Sequence, residues 1–155
     1  TYFGARDFAD NTSLSADNVG RREYHHLFPD KLLKDAGIDS FLALNCALIT
    51  WKTNRTIGRL DPIQYLEDRA QKAPNARDVE GRLETHLVPY ELLAAAGPYP
   101  DGLTGPELAA LVRPDFDVFL SVRARIIAAA AAELTEGRQP QLRDILSAVR
   151  NEHDM

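Results

Sequence analysis

Two adjacent histidines and two later asparagines are the residues of this sequence whose types suit hydrolytic chemistry. His25 and His26 are followed by Asn45, and Asn54 comes nine residues after Asn45. An imidazole, with an unperturbed pKa of about 6.5, can take a proton from water near neutral pH. Neutral imidazole and amide oxygen can also hold a divalent ion and leave positions open for phosphate and water. Hydrolysis of a phosphodiester requires these parts, and together they predict a site with a single metal ion.

The order and spacing of these residues resemble the HNH family of endonucleases, also called His-Me finger or ββα-metal nucleases. In that family an acidic or histidine ligand precedes the base histidine, a short apolar link and a proline. A structural asparagine follows, and a second ligand, His or Asn, lies nine residues beyond it. This chain has His25 and His26 before Leu27, Phe28 and Pro29, and then Asn45 and Asn54.

The flanking sequence narrows the resemblance to the HNH branch found in GmrSD-type restriction systems. The matching stretches are EYHHLFP, NCALITWKTNRTIG, DPIQYL, THLVPYELL and DFDVFLSVRARIIAAAAAEL, which lie within residues 21–136. The resemblance implies a DNA-nicking endonuclease that is the effector domain of a modification-dependent restriction or anti-phage defence protein. It also implies an N-terminal nucleotide-hydrolysing domain in the same full-length protein, which agrees with a chain that begins at Thr1 rather than Met.

Carried over residue by residue, the resemblance gives each member of the set a role. His26 becomes the general base, and His25 and Asn54 become the metal ligands. Asn45 would hold the loop that orients the base, as residues behind a catalytic imidazole often do.

Asn54, the second ligand, has basic neighbours. His25, the first ligand, departs from the commoner family pattern. Lys52 and Arg55 flank Asn54 and are the candidate phosphate-binding residues, although a solvated loop face is the alternative. His25 stands where many relatives have Asp, so this ligand pair brings no negative charge to the ion. Mg²⁺ is the expected ion, with Mn²⁺, Ni²⁺ and Zn²⁺ as competitors. Glu23 is a further candidate ligand.

The charge distribution limits how this chain can bind DNA. The net charge is −5 and the isoelectric point is about 5.3, which argues against binding through bulk electrostatics. Residues 1–72 contain ten Lys and Arg against ten Asp and Glu, whereas residues 73–155 contain eight against thirteen. DNA contact is therefore expected in the first half of the chain, with modest affinity.

The elements that must position these residues predict an α+β fold, in which a small ββα-metal module is embedded in a mostly α-helical domain. Residues 1–72 hold an N-terminal lead-in and the nuclease module, whose core is about residues 21–70. Residues 73–155 form a helical region that packs on the module. The pattern predicts extended chain at 21–29 and 41–51 and helices at 30–37, 61–71, 78–87, 90–96, 106–112, 115–136 and 141–150.

Several other residues that can carry chemistry are assigned packing roles. Phe41, Trp51 and Tyr65 are interpreted as core residues rather than as platforms for base stacking. Cys46 lies in an apolar stretch and is expected to be a small core residue. His86, three residues before a proline like His26, is expected to lie on the surface or to pack.

Other functions and the cellular setting stay open at this point. A non-catalytic helical DNA-binding or assembly domain with a degenerate motif is the main alternative, favoured by the acidic second half. An RNA nuclease of the same chemistry is another. The alanines at 128–132 suggest a helix face that meets another domain or subunit, which leaves an oligomer open. No apolar run approaches the roughly 20 residues of a membrane span, and a cytoplasmic location is expected.

Overall fold

The computed structural model describes residues 4–7, 11–15, 17, 22–50 and 77–153. These residues form a mixed α+β fold with a two-stranded antiparallel sheet and several helices. No helix within these ranges combines the length and the apolar character that crossing a membrane requires. The elements in chain order are β1 (Arg22–His26), α1 (Asp30–Asp35), a 3₁₀ turn (Ala43–Asn45), β2 (Cys46–Thr50), α2 (Arg77–Glu84), α3 (Tyr90–Ala95), α4 (Gly105–Thr135) and α5 (Leu142–His153).

The two strands pair so that the end of β1 meets the start of β2. In this register Arg22 lies opposite Thr50, and His26 lies opposite Cys46. The prediction of continuous extended chain at 41–51 is corrected, because the 3₁₀ turn precedes β2 and the strand begins only at Cys46. The predicted helix at 61–71 and the domain boundary near 73 lie outside the described residues.

The connection between the strands contains the short helix α1, which ends at a glycine as predicted. Gly37 has a φ of 67°, in the left-handed region that a residue with a Cβ adopts at a cost. Its N–H donates to the carbonyl of Lys34, and the N–H of Ile38 donates to the carbonyl of Leu33. These two bonds form a Schellman motif, which turns the chain back toward the sheet.

The helices after the sheet depart from the predicted pattern mainly at Pro114. Separate helices at 106–112 and 115–136 were predicted, but α4 is one helix that continues through this proline. An interior proline costs about 3 kcal/mol. Val112 and Phe116 lie on either side of it and are both buried in the same core, and burial contributes about 1.5–3 kcal/mol for each such side chain. The carboxylate of Asp115 accepts a hydrogen bond from the Tyr99 hydroxyl at 2.7 Å.

One apolar core joins the hairpin connection to the helices. Phe28 lies at its centre, with ring centroids 5.1 Å from Phe116 and 5.3 Å from Phe119. A second cluster fixes α5 on the later part of α4. The residues of the first core are Leu27, Phe28, Leu33, Ala36, Ile38, Ala47, Leu83, Val88, Leu93, Ala96, Leu108, Val112, Phe116 and Phe119.

The N-terminal segment docks on the turn that follows α2. The backbone of Arg6 donates to the Thr85 hydroxyl and accepts a bond from the His86 ring at 2.6 Å. Because a carbonyl only accepts, Nε2 of His86 must be the protonated ring nitrogen. Burial lowers the pKa of His86. The predicted packing role of His86 is therefore confirmed.

The buried ring of His86 predicts a loss of stability in mild acid. The unfolded chain takes up a proton on this ring below about pH 6.5, whereas the folded protein keeps it neutral to lower pH. The contribution of this neutral ring to the free energy of unfolding is therefore complete above about pH 6.5. It falls as the pH drops toward the pKa of His86 in the folded protein. We expect the urea midpoint to fall between about pH 7.5 and about pH 5.5, and to fall less in His86→Gln. His153→Gln, at the end of α5, should keep the wild-type pH dependence; equal slopes in all three proteins would contradict this account.

Candidate active site

The two histidines of the motif lie next to each other at the end of β1. His25 is paired with Ala47 and His26 with Cys46 in a regular antiparallel ladder. Successive side chains of a strand point to opposite faces of the sheet. His25 therefore shares a face with Ala47, which is buried in the core, and His26 leaves on the other face with Cys46. The two rings therefore leave the sheet on opposite faces.

Asn45 ends the 3₁₀ turn directly before β2 and is fully buried. Its Oδ1 accepts from the backbone N–H of Phe28 at 2.8 Å, and its Nδ2 donates to the Phe28 carbonyl at 3.2 Å and the Ser40 carbonyl at 3.4 Å. Its own carbonyl accepts from the N–H of Leu27 at 2.7 Å. One asparagine therefore holds the two residues that follow His26, where the chain leaves the strand.

His26 is half-buried, with one aromatic neighbour and one buried ring nitrogen. Its ring packs edge-on against the ring of Phe41, with centroids 5.7 Å apart and planes at 82°. Its Nε2 is buried and has no hydrogen-bond partner among the described residues. A buried nitrogen without a partner costs about 1–3 kcal/mol, so such an atom calls for an explanation. A water or substrate atom bound during function would supply the partner.

A small polar network beside His26 fixes the connection that carries Phe41. The Lys34 ammonium and the Ser40 hydroxyl both donate to the carboxylate of Asp30, and they hold the pKa of Asp30 below its usual value. Asp30 thus ties α1 to the chain just before Phe41.

Arg123 of α4 joins the helical region to this motif. Its side chain is 5% exposed, and Nη1 donates to the carbonyls of Leu44 at 2.5 Å and Cys46 at 3.0 Å. Nη2 donates to the carbonyl of His86 at 3.2 Å. Burial lowers the pKa of Arg123 to about 10, so the group stays charged at neutral pH. The two carbonyls bonded to Nη1 belong to the residues on either side of Asn45.

Arg123 was not identified from the sequence, although its position among apolar residues of the helix indicated a buried role. Phe116, Phe119, Ile126 and Ala130 are spaced by three, seven and four residues, and they lie on the buried face of α4. Arg123 occupies a position of that same face. A cation on an apolar helix stripe indicates a buried polar partner, because an unpaired buried charge is costly.

Removing Arg123 is expected to destabilise the fold. Arg123→Leu leaves the carbonyls of Leu44, Cys46 and His86 without this donor and should lower the free energy of unfolding by about 3 kcal/mol. Arg123→Lys keeps the charge but not the planar fork and should cost about 1–2 kcal/mol. Urea denaturation measures both. Arg113→Leu, exposed on the same helix, should change stability by less than about 0.5 kcal/mol. An Arg123→Leu protein as stable as wild type would refute the role of these bonds.

Three members of the predicted site, and two aromatic residues that were assigned to the core, lie in a part of the chain that the structure does not describe. Asn54, Lys52 and Arg55 lie outside the described residues, as do Trp51 and Tyr65. The described part of the chain contains no group of three His, Cys, Asp or Glu side chains that could hold a metal ion. Within that part, the hairpin supplies His25 as a candidate ligand, and Asn45 and His26 lie beside it in the sheet and its turn.

Two packing assignments from the sequence need correction. Phe41 was interpreted as a core residue, but it is 75% exposed and lies against His26. Cys46 is only half-buried, and burial raises the pKa of its thiol, which disfavours the reactive thiolate. Phe41 begins the apolar run that was predicted to be buried extended chain, whereas the strand begins five residues later, at Cys46.

No family model, curated protein or solved structure matches this chain. The chemistry of the site therefore has to be argued from its own residues.

Proposed function

We propose that this chain is a divalent-metal-dependent DNA endonuclease of the HNH type. The observation that carries the proposal is the position of His26 directly before the turn that the Asn45 amide holds. His26 ends β1 with a buried Nε2 that lacks a partner among the described residues, and the Asn45 amide holds the turn directly after it. A general base needs a free ring nitrogen in a fixed position, and this arrangement supplies both requirements.

His26 acts as the general base in this proposal. Its Nε2 takes a proton from a water molecule, whose oxygen attacks the phosphorus and forms the new P–O bond. The bond from phosphorus to the 3′ oxygen breaks, and the leaving oxygen takes up a proton from solvent. Base catalysis of this kind contributes about 10²–10⁴-fold to the rate. Asn45 keeps the ring in place without touching the substrate.

His25 and Asn54 would hold the divalent ion, with Mg²⁺ expected and Mn²⁺, Ni²⁺ or Zn²⁺ as competitors. When bound, the ion would neutralise the charge that builds on the scissile phosphate. In the proposal only His25 of the two histidines is a ligand, because His25 and His26 leave the sheet on opposite faces. The described residues supply this one ligand.

The wider setting follows from the same proposal. Lys52 and Arg55 would bind the phosphate backbone, where a guanidinium can grip two oxygens at once. The domain would be the DNA-nicking effector of a modification-dependent restriction or anti-phage defence protein in the cytoplasm. An N-terminal nucleotide-hydrolysing domain of the full-length protein would then supply affinity that this acidic chain lacks.

Nicking of supercoiled plasmid tests the proposal and the assigned roles. With Mg²⁺ or Mn²⁺ we expect nicking that falls by about 10²–10⁴-fold in His26→Ala and does not recover at higher metal concentration. His25→Ala and Asn54→Ala should also lose activity, but excess metal should restore part of it because they lower metal affinity. His153→Ala is the matched histidine control and should nick like wild type.

Two results would count against the proposal in different ways. No nicking by the folded wild-type protein with either ion, together with retained DNA binding, would favour the non-catalytic binding domain. Equal and irreversible loss in all three site variants would show that the division between base and ligands is wrong. Faster cleavage of structured RNA than of duplex DNA would replace the substrate by RNA.

A further inference from the structure

Phe41 is an apolar residue whose side chain is exposed to solvent and lies directly beside His26, the proposed base. It is 75% exposed, and its ring contacts the ring of His26 at a centroid distance of 5.7 Å. Burial of a phenylalanine side chain is favourable relative to exposure. A chain free to fold this ring inward would therefore do so.

The chain around Phe41 is not free to move, because each neighbouring residue is bonded. The Ser40 hydroxyl donates to Asp30 at 2.5 Å, and the Ser40 carbonyl accepts from the amide of Asn45. The N–H of Phe41 itself donates to the Asp39 carboxylate at 2.9 Å. These bonds fix the backbone and hold the ring in its exposed position, so the contact surface exists before any ligand binds.

Tyr24 provides a second exposed ring on the same side of the sheet. It is 73% exposed and lies two residues before His26 in β1. Residues two apart in a strand share a face. His26 is therefore flanked by one aromatic ring from the strand and one from the connection, and both rings present most of their surface to solvent.

A nucleobase is the ligand that this surface fits. Bases stack favourably on aromatic side chains, with little dependence on sequence. Stacking also needs no positive charge, which suits a chain with a net charge of −5. The ammonium of Lys34 lies 5.6 Å from the centre of the Phe41 ring, and its exposed pair with Asp30 is weak enough to exchange for a phosphate.

We propose that Phe41 and Tyr24 form a base-stacking site that holds an unpaired nucleobase of DNA next to the scissile phosphate. This proposal rests on the nuclease function and names its substrate class, because a base inside a regular duplex has both faces covered by its neighbours. DNA with an unstacked nucleotide at the cleavage point, such as a bubble or a single strand, is then the preferred substrate.

Stacking can be measured without any cleavage, which separates this proposal from the nuclease proposal. The probe is a single-stranded DNA oligonucleotide that contains 2-aminopurine, mixed with the protein in EDTA. Wild type should quench the 2-aminopurine fluorescence on binding. Phe41→Ala and Tyr24→Ala should each bind about tenfold more weakly and lose most of the quenching. Phe41→Trp should retain both, whereas Phe41→Leu, which keeps apolar bulk without a π face, should behave like Phe41→Ala.

Leu111→Ala is the matched control, since Leu111 is an exposed apolar residue of α4 outside the proposed site, with 45% of its surface exposed. It should bind and quench like wild type. Phe41→Ala should keep the urea midpoint of wild type because the ring is exposed. No quenching by wild type, or equal quenching by wild type and Phe41→Ala, overturns the stacking site even if the protein nicks plasmid. Quenching that depends on Phe41 in a protein that cuts no DNA supports the stacking site and leaves only the nuclease proposal refuted.

With Mn²⁺ present, the same site predicts a substrate preference. Wild type should cleave a DNA bubble faster than the matched perfect duplex, and the ratio of the two kcat/KM values should fall toward one in Phe41→Ala. The loss should come mainly through KM, since the ring binds substrate and does not take part in proton transfer. A ratio that is unchanged in Phe41→Ala contradicts the proposed preference.

Discussion

The hydrogen bonds between the Asn45 amide and the backbone of Phe28 are the interaction on which this end of the molecule depends. They join the 3₁₀ turn directly before β2 to the chain two residues beyond His26. Asn45 is fully buried, so water cannot replace its partners, and breaking the bonds would leave polar groups unsatisfied in the core. The same Asn45 bonds the Ser40 carbonyl, so one amide sets the position of the turn after His26 and of the segment that carries Phe41.

The helices support this arrangement through packing and through one buried cation. Phe28 is at once a hydrogen-bond partner of Asn45 and a packing partner of Phe116 and Phe119. Arg123, one turn farther along the same helix, donates to the carbonyls on both sides of Asn45. A shift of α4 would therefore displace the hairpin residues that it contacts, although α4 contributes no group to the proposed chemistry.

The sequence was most informative where local chemistry decides the structure. The end of α1 at Gly37, the helix α3 and the following loop agree with prediction because caps, prolines and glycines act within a few residues. The continuous α4 was missed because burial of Val112 and Phe116 offsets the cost of Pro114, and burial depends on partners distant in the sequence. Arg123 was missed for the same reason, because its carbonyl partners lie in the hairpin and in the turn after α2. Exposed Phe41 was missed because the bonds of Ser40 to Asp30 and Asn45 set its position. The grouping of His25, His26 and Asn45 follows from strand pairing, whereas Asn54 lies outside the described residues and its position rests on spacing alone.

The central claim is that His25 and Asn54 bind a divalent ion while His26 stays free to act on water. A crystal structure of the protein grown with Mn²⁺ tests this most directly. The proposed mechanism predicts one ion, with a ring nitrogen of His25 and the amide oxygen of Asn54 each about 2.0–2.3 Å from it. The His26 ring should not coordinate the ion, and its Nε2 should lie within hydrogen-bond reach of a water molecule. An ion coordinated by His26, or bound away from the hairpin with His25 and Asn54 both unliganded, would contradict the account.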